Sequence, residues 1–318
     1  MKARRVFLLV LDSVGAGNAR DARDFGDEGA FTLRSVWTTG EALRIENLLR
    51  LGLSHVEGLS FLGDCPSPSA SVARLREASR GKDTTIGHWE LAGRISERPL
   101  PTFPEGFPAD FLAEFSRRVG RPVLCNRPYS GTAVIRDFGE EQIRRGGLIV
   151  YTSADSVFQI AAHVDSVPLE ELYEACRVAR EMLTGPLGVG RVIARPFEGI
   201  APDFKRTADR RDFSLVPPEG LLPDVVLGAG LDSIAVGKIG DIFARRGFTK
   251  ILPTHSNEEG MAVTTRLLRD SSFRRGLCFV NLVDFDMLWG HRRDADAYAE
   301  GANCFQMQLT RTVNALTY

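Results

Sequence analysis

The sequence predicts an α/β protein in which a doubly wound core sheet is interrupted by an inserted α/β or α+β cap. Three observations predict it. The near-continuous apolar run at 277–283 reads as a central parallel strand covered on both faces, and the apolar run at 6–11 reads as another strand. Helical patterns lie between the strand-like runs. Two proline clusters (Pro99, Pro101, Pro104 and Pro108, then Pro217, Pro218 and Pro223) punctuate the chain. Proline removes a donor and disfavours continued helix or central strand, so such clusters mark crossings between domains. They divide the chain into a first core part (1–98), an inserted cap (99–217) and a second core part (218–318).

In order, the strand at 6–11 hands over to a loop with Gly15 and Gly17, then an irregular stretch reaches a short helix ending at 48–52. A polar loop at 81–89 follows. Within the cap, 147–152 is a β-rich run, Leu169, Leu172, Cys176, Ala179 and Leu183 fall on one helical face, and 192–194 is another short strand. Beyond Pro223, 233–236 and 277–283 are buried strands with helical stretches between them. A last helix shows an apolar face at Tyr298, Phe305, Leu309 and Val313. In a wound sheet such a helix hands over to a further strand, so an end at Tyr318 leaves part of the core uncovered. No internal repeat or low-complexity segment is present.

Composition bounds the function. The 318 residues, 43% hydrophobic and 25% charged, suffice for two cores or one large one. A net charge of -1 and a pI near 6.6 give no basic excess, which argues against a nucleic-acid partner. The apolar runs fall well short of the roughly 20 residues of a membrane span, and the N-terminus lacks a signal-peptide apolar region; a cytoplasmic protein with no membrane partner is expected. Five cysteines without a Cys-x-x-Cys pair disfavour a zinc ribbon, and an odd count disfavours a disulfide framework. Only Lys2, Lys82, Lys205, Lys238 and Lys250 are lysine; Lys82 and Lys238 sit in Gly-flanked motifs, either as point-charge phosphate ligands or simply solvated.

Three groups of residues could carry chemistry. Asp12 stands at the carboxyl end of the first strand, and Asp284 and Asp286 at that of the 277–283 strand, where ligands of open α/β sheets collect. Asp12 could equally cap a turn. Asp286, followed by Gly290 and His291, offers oxygen and imidazole donors suited to hard or borderline divalent metals, although a single loop histidine is commonly just solvated. The 81–90 loop supplies Thr84 and Thr85, weak nucleophiles until a base or metal activates them, with Asp83 as a plain cap in the alternative. No Walker sequence is present. In the cap, Asp155 could accept from sugar hydroxyls, while Arg191, Arg206, Arg210 and Arg211 could fork onto phosphate or remain solvated surface.

With these motifs in place, the chain resembles phosphopentomutases of the alkaline phosphatase superfamily. The resemblance is carried by 10–17, 25–30, 81–93, 103–108, 151–163, 190–197, 237–239 and 281–294. It implies an alkaline-phosphatase-like core with an inserted cap. It also implies that Asp12, Asp286 and His291 are ligands of a two-metal site, manganese preferred and magnesium possible. Thr84 matches the phosphorylated threonine, with Thr85 as the fallback. Ser153, Asp155, Val157, Arg191, Ile193, Arg206 and Lys238 match the pentose-phosphate site. The implied reaction passes a phosphoryl group from phospho-Thr84 to a pentose monophosphate, forms a bisphosphate, and recovers the other phosphoryl group. It interconverts ribose 1-phosphate and ribose 5-phosphate, or the deoxyribose pair, with a sugar bisphosphate as activator.

Two departures stand out. The family's Asn-Arg-His-Asp stretch is Asp209-Arg210-Arg211-Asp212 here, which is expected to add a fixed cation near the sugar site. Family members also continue beyond the helix matching 297–316 into further metal ligands, so weak metal affinity and low turnover are expected. A metal-dependent phosphatase, a phosphoglycerate-mutase-like enzyme, and a non-catalytic sugar-phosphate binder are the alternatives.

Overall fold

The computed structural model describes residues 4–40 and 42–314, the last two without their side chains; Lys2, Leu316, Tyr318 and the Val313 side chain lie outside the described residues. The chain divides into two compact units. One comprises Met1–Ala78, Glu219–Gly240 and Arg245–Tyr318, the other Ser79–Pro218 and Asp241–Ala244. In chain order the elements are β1 (Arg5–Leu11), α1 (Thr32–Thr39), α2 (Glu46–Leu51), α3 (Thr84–Leu91), α4 (Ala109–Val119), β2 (Val123–Pro128), α5 (Ala133–Arg145), β3 (Leu148–Thr152), β4 (Val157–His163) and α6 (Leu169–Met182). They continue with β5 (Arg191–Glu198), β6 (Lys205–Arg206), β7 (Arg211–Ser214), α7 (Leu222–Gly228), β8 (Asp232–Val236), α8 (Ile239–Ile242), β9 (Lys250–Leu252), α9 (Asn257–Arg269), β10 (Gly276–Leu282) and α10 (Ala295–Asn314).

The first unit is the expected α/β core. Its sheet runs β1-β10-β8-β9 with every pairing parallel, as strands joined by crossover helices must be. β10 lies between β1 and β8 and is buried almost throughout, packed with Met261 and Leu267 of α9 and Tyr298 and Phe305 of α10. The apolar run 6–11 forms the expected strand, β1. Among the described residues no strand pairs the outer edge of β1, so this strand is half-exposed along its length and Val6 is 52% exposed.

The second unit holds a six-stranded mixed sheet, β2-β3-β4-β5-β6, with β7 also paired to β5. Side chains alternate across a strand, and here the two faces have different covers. Val192 and Ala194 of β5 and Phe158 and Ile160 of β4 face α4 and α6, in a core with Phe107, Phe111, Phe115, Leu172 and Cys176. Full burial of aromatics such as Phe115 and Phe158 stabilises by roughly 1.5–3 kcal/mol each. On the other face, Val134 and Ile135 of α5 pack on Ile149, Ala161 and Phe197. This cover leaves the strand ends nearest Val157 and Arg191 to polar side chains.

Residues 79–98 pack with this second unit, upstream of the Pro99 boundary. The Arg80 amide donates to the Ser96 carbonyl (2.8 Å) and the Ser96 amide to Ser79 Oγ (2.9 Å). Gly81, at φ 108°, lies against Pro99, where a Cβ would approach the proline ring to 2.8 Å. No helix among the described residues is long and apolar enough to cross a membrane.

Candidate active site

In the first unit the parallel register brings three sequence-predicted residues to one sheet edge. Leu11 pairs with Leu282, and the Asp12 amide extends the ladder by donating to the Leu282 carbonyl at 3.1 Å. Asn281 Nδ2 then donates to Asp12 Oδ2 (3.2 Å), fixing that carboxylate beside the end of β10. The chain leaves β10 through Asp284, which is pinned to the start of α9. The Asn257 amide donates to Asp284 Oδ2 at 2.6 Å, and the Asp284 amide donates to Asn257 Oδ1 at 3.0 Å. A π-helical turn (Phe285–Gly290) follows, and the His291 amide closes onto the Asp286 carbonyl. His291 Nε2 stands 3.4 Å from Asp286 Oδ2.

The turn is held from behind by rings: Phe285 and Trp289 pack edge-on or tilted against Tyr298 of α10. The Tyr298 hydroxyl contacts Ser13 Oγ at 3.3 Å. Burial pushes its phenol up to about 12; the Ser13 hydrogen bond opposes this, while the charges of Asp286 and Asp12 add to it. Both carboxylates therefore act on one buried phenol. Lys238 follows β8, the strand parallel to β10 on its other side, so it belongs to the same carboxyl edge.

The donors suit a divalent cation: two carboxylates from adjacent parallel strand ends and one imidazole beside one of them, with two of the three on a single turn. Among the described residues no three His, Cys, Asp or Glu side chains gather closely enough to hold an ion alone.

In the second unit Thr84 is the first residue of α3. Asp83 caps that helix, its Oδ1 accepting from the Thr85 amide at 2.7 Å. Thr84 is half-buried, whereas Thr85 is 1% exposed and lies near Gly190. His88 Nδ1 is 2.8 Å from the Thr84 carbonyl oxygen and 3.4 Å from Thr84 Oγ. A carbonyl can only accept, so Nδ1 carries the proton and donates to it. That nitrogen is therefore no base for the Thr84 hydroxyl.

The cap residues share one surface. Val157 pairs with Arg191, and Gln159 with Ile193, across the parallel β4-β5 ladder. Ser153 Oγ accepts from the Asp155 amide (3.3 Å) in the β3-β4 turn. Asp155, 62% exposed, reaches Arg191 at 3.8 Å. Arg191 also lies 3.9 Å from Asp212, which takes both 2.7 Å hydrogen bonds of the Arg210 fork. Arg206 lies on β6, paired with Phe197.

Sequence reasoning missed Tyr151, Gln159, Arg195 and Asp212 on this face. The period-2 spacing of Arg191, Ile193 and Arg195 was the available signal. Arg195 donates to Gln159 Oε1 at 3.2 Å; burial first, then the charge of Arg210, holds its guanidinium below the ordinary value.

The expected extra cation is not on this face. Ile193 pairs with Asp212 and Ala194 with Arg211, so Arg211 projects to the opposite side of the sheet. There its guanidinium sits 5.1 Å from the Tyr173 ring and 5.3 Å from the Phe213 ring. The Arg211 departure therefore builds a cation-π contact with the α6 side.

The Metalloenzyme superfamily model matches residues 4–317. The chain is 54% identical over 314 residues to the phosphopentomutase of Lachnoclostridium phytofermentans, covering 98% of this chain and 80% of that one. It is 47% identical over 312 residues to the Clostridium novyi phosphopentomutase, with the same coverage. To that of Caldanaerobacter subterraneus it is 49% identical over 306 residues, 96% of this chain and 77% of the relative.

Proposed function

This chain belongs to the phosphopentomutase family, within the Metalloenzyme superfamily, and from that premise we propose that it interconverts ribose 1-phosphate and ribose 5-phosphate, or the deoxyribose pair, through a phosphorylated Thr84. The observation that carries the reading is the 54% identity over 98% of the chain. The clustering of Val157, Arg191 and Ile193 on one sheet face, beside Asp155, supports it.

In this reading Thr84 Oγ carries the phosphoryl group. Its place at the first position of α3 suits an anion, since a helix N-terminus presents unpaired N–H donors and positive dipole. Arg191 and Arg206 bind the sugar's phosphate, Lys238 contributes a further cation, and Ser153 and Asp155 engage hydroxyls. Val157 and Ile193 pack the ring and exclude water. Thr84 donates its phosphoryl group to the monophosphate, giving a bisphosphate, and takes back the other one. Retention of that bisphosphate, which also serves as activator, separates mutase from phosphatase. Asp12, Asp286 and His291 would hold divalent metal, manganese in preference to magnesium, which when bound neutralises charge on a transferring phosphoryl group. Segment 99–217 acts as the cap that holds the sugar, and the enzyme works in the cytoplasm.

The test is ribose 5-phosphate formation from ribose 1-phosphate with manganese, alongside phosphate incorporation mapped by mass spectrometry. Thr84→Ala is expected to lose turnover by roughly a thousandfold or more and to take up no phosphate. A Thr84→Ala protein that turns over and labels on Thr85 would reassign the nucleophile, and wild-type protein converting only other phosphate esters would overturn the reading.

A further inference from the structure

Two buried donors on the α5 face of the mixed sheet lack an acceptor. Tyr151 is 1% exposed and its hydroxyl is buried without a hydrogen-bond partner; Arg191 Nε is buried and unpartnered as well. The ladder places both on one face of the sheet. Tyr151 pairs with Gln159 across β3-β4, Gln159 with Ile193 across β4-β5, and Ile193 with Asp212 across β5-β7. Residues directly paired across a sheet project to the same face. Tyr151, Gln159, Ile193 and Asp212 thus form one row, and Arg191 and Arg195 flank Ile193 on it.

Several guanidinium groups lie on this face: Arg191 is 3.8 Å from Asp155 and 3.9 Å from Asp212, Arg210 is 2.7 Å from Asp212, and Arg195 and Arg206 lie on the same face. Arg195, Arg206 and Arg210 are close enough for their charges to act on the Tyr151 phenol, opposing the rise that its burial causes. Gly131 lies against two of these groups: a Cβ there would lie 3.0 Å from the Tyr151 hydroxyl oxygen and 3.1 Å from Arg206 Nη2. A donor left unsatisfied in low dielectric costs free energy that an acceptor recovers. Neighbouring guanidinium groups favour an anionic acceptor over a neutral one.

We propose that Tyr151 is a ligand-binding residue of this chain, whose hydroxyl donates to an anionic oxygen of the bound sugar phosphate. The proposal rests on the pentose-phosphate reading of the same face. It also distinguishes Tyr151 from a packing residue, because its ring alone would satisfy the core.

Tyr151→Phe removes only the oxygen. Loss of an unpartnered buried hydroxyl leaves folding unharmed or improves it, so the unfolding temperature of the ligand-free variant should match or exceed that of wild type. Ribose 5-phosphate binding by titration calorimetry should weaken by about ten- to a hundredfold, the range for a hydrogen bond to a charged group. KM should rise in step. Unchanged affinity for ribose 5-phosphate in Tyr151→Phe would overturn the proposal, as would wild-type protein that binds neither ribose 5-phosphate nor inorganic phosphate. If wild type shows no mutase turnover yet binds ribose 5-phosphate in a Tyr151-dependent way, the proposed reaction fails and this assignment holds.

Discussion

At the scale of single residues, Asp212 has the clearest electrostatic task, since it sets the Arg210 fork and faces Arg191 and Arg195. Burial pushes its carboxyl up, but the Arg210 hydrogen bonds and the charges of Arg210, Arg191 and Arg195 outweigh this, holding it below the ordinary value of 3.8. Arg210 is raised: burial, the largest single influence, pulls it down, and the hydrogen bond to Asp212 together with the charges of Asp212, Tyr151 and Asp241 outweighs that. A folded-state value below the unfolded one means the stabilisation is fully present above 3.8 and is lost as pH falls through the folded value. Asp212→Asn should therefore destabilise near neutral pH by about 1–2 kcal/mol, discounted because the Arg210 side chain is 37% exposed. The loss should disappear in strong acid, where wild type is protonated too. Urea unfolding of both proteins across that range is the measurement; a constant difference at every pH would show that the charge is not the cause.

At the scale of elements, the α/β pattern, the β10 run and the α6 face were legible because burial imposes periods of 2 and 3.6 on the sequence. The half-exposed β1 was not, since an apolar run does not say which strand lies at an edge. Nor was the π-helical turn at Phe285–Gly290: no residue pattern marks an i to i+5 bond, so Asp286 and His291 could be named while the geometry joining them could not. Tyr151 was hidden inside an apolar run, where an aromatic reads as core. The turn also explains Gly301 of α10, because a Cβ there would overlap the Trp289 ring. Gly301→Ala gains roughly 1 kcal/mol of helix propensity, against overpacking that typically costs about 1–3 kcal/mol. We expect net destabilisation and, because Trp289 belongs to the turn carrying Asp286, weaker manganese binding. Thermal melts and metal titration test this together; a more stable variant with unchanged metal affinity would mean the ring moves without disturbing the turn.

At the scale of the whole molecule, the two kinds of expected ligand fall on different compact units. Asp12, Asp286 and His291 lie at the carboxyl edge of the parallel sheet, and the Asp155, Val157, Arg191 and Ile193 face belongs to the mixed sheet. Binding stabilises whatever it contacts by mass action, about 2.7 kcal/mol at a free concentration a hundredfold above Kd. Amide exchange reports that gain locally, because protection rises first in segments whose opening releases the ligand. Manganese is thus expected to slow exchange at the ends of β1 and β10 and through Phe285–Gly290. Ribose 5-phosphate is expected to slow it at the β3-β4 turn and along β5 and β7. The same experiment on Asp286→Asn should abolish the manganese response while leaving backbone exchange without ligand near wild type, since Asn keeps the shape of the side chain. Manganese protection confined to β3, β4 and β5, or a full response in Asp286→Asn, would mean that the metal is held by residues other than the three at the end of the parallel sheet.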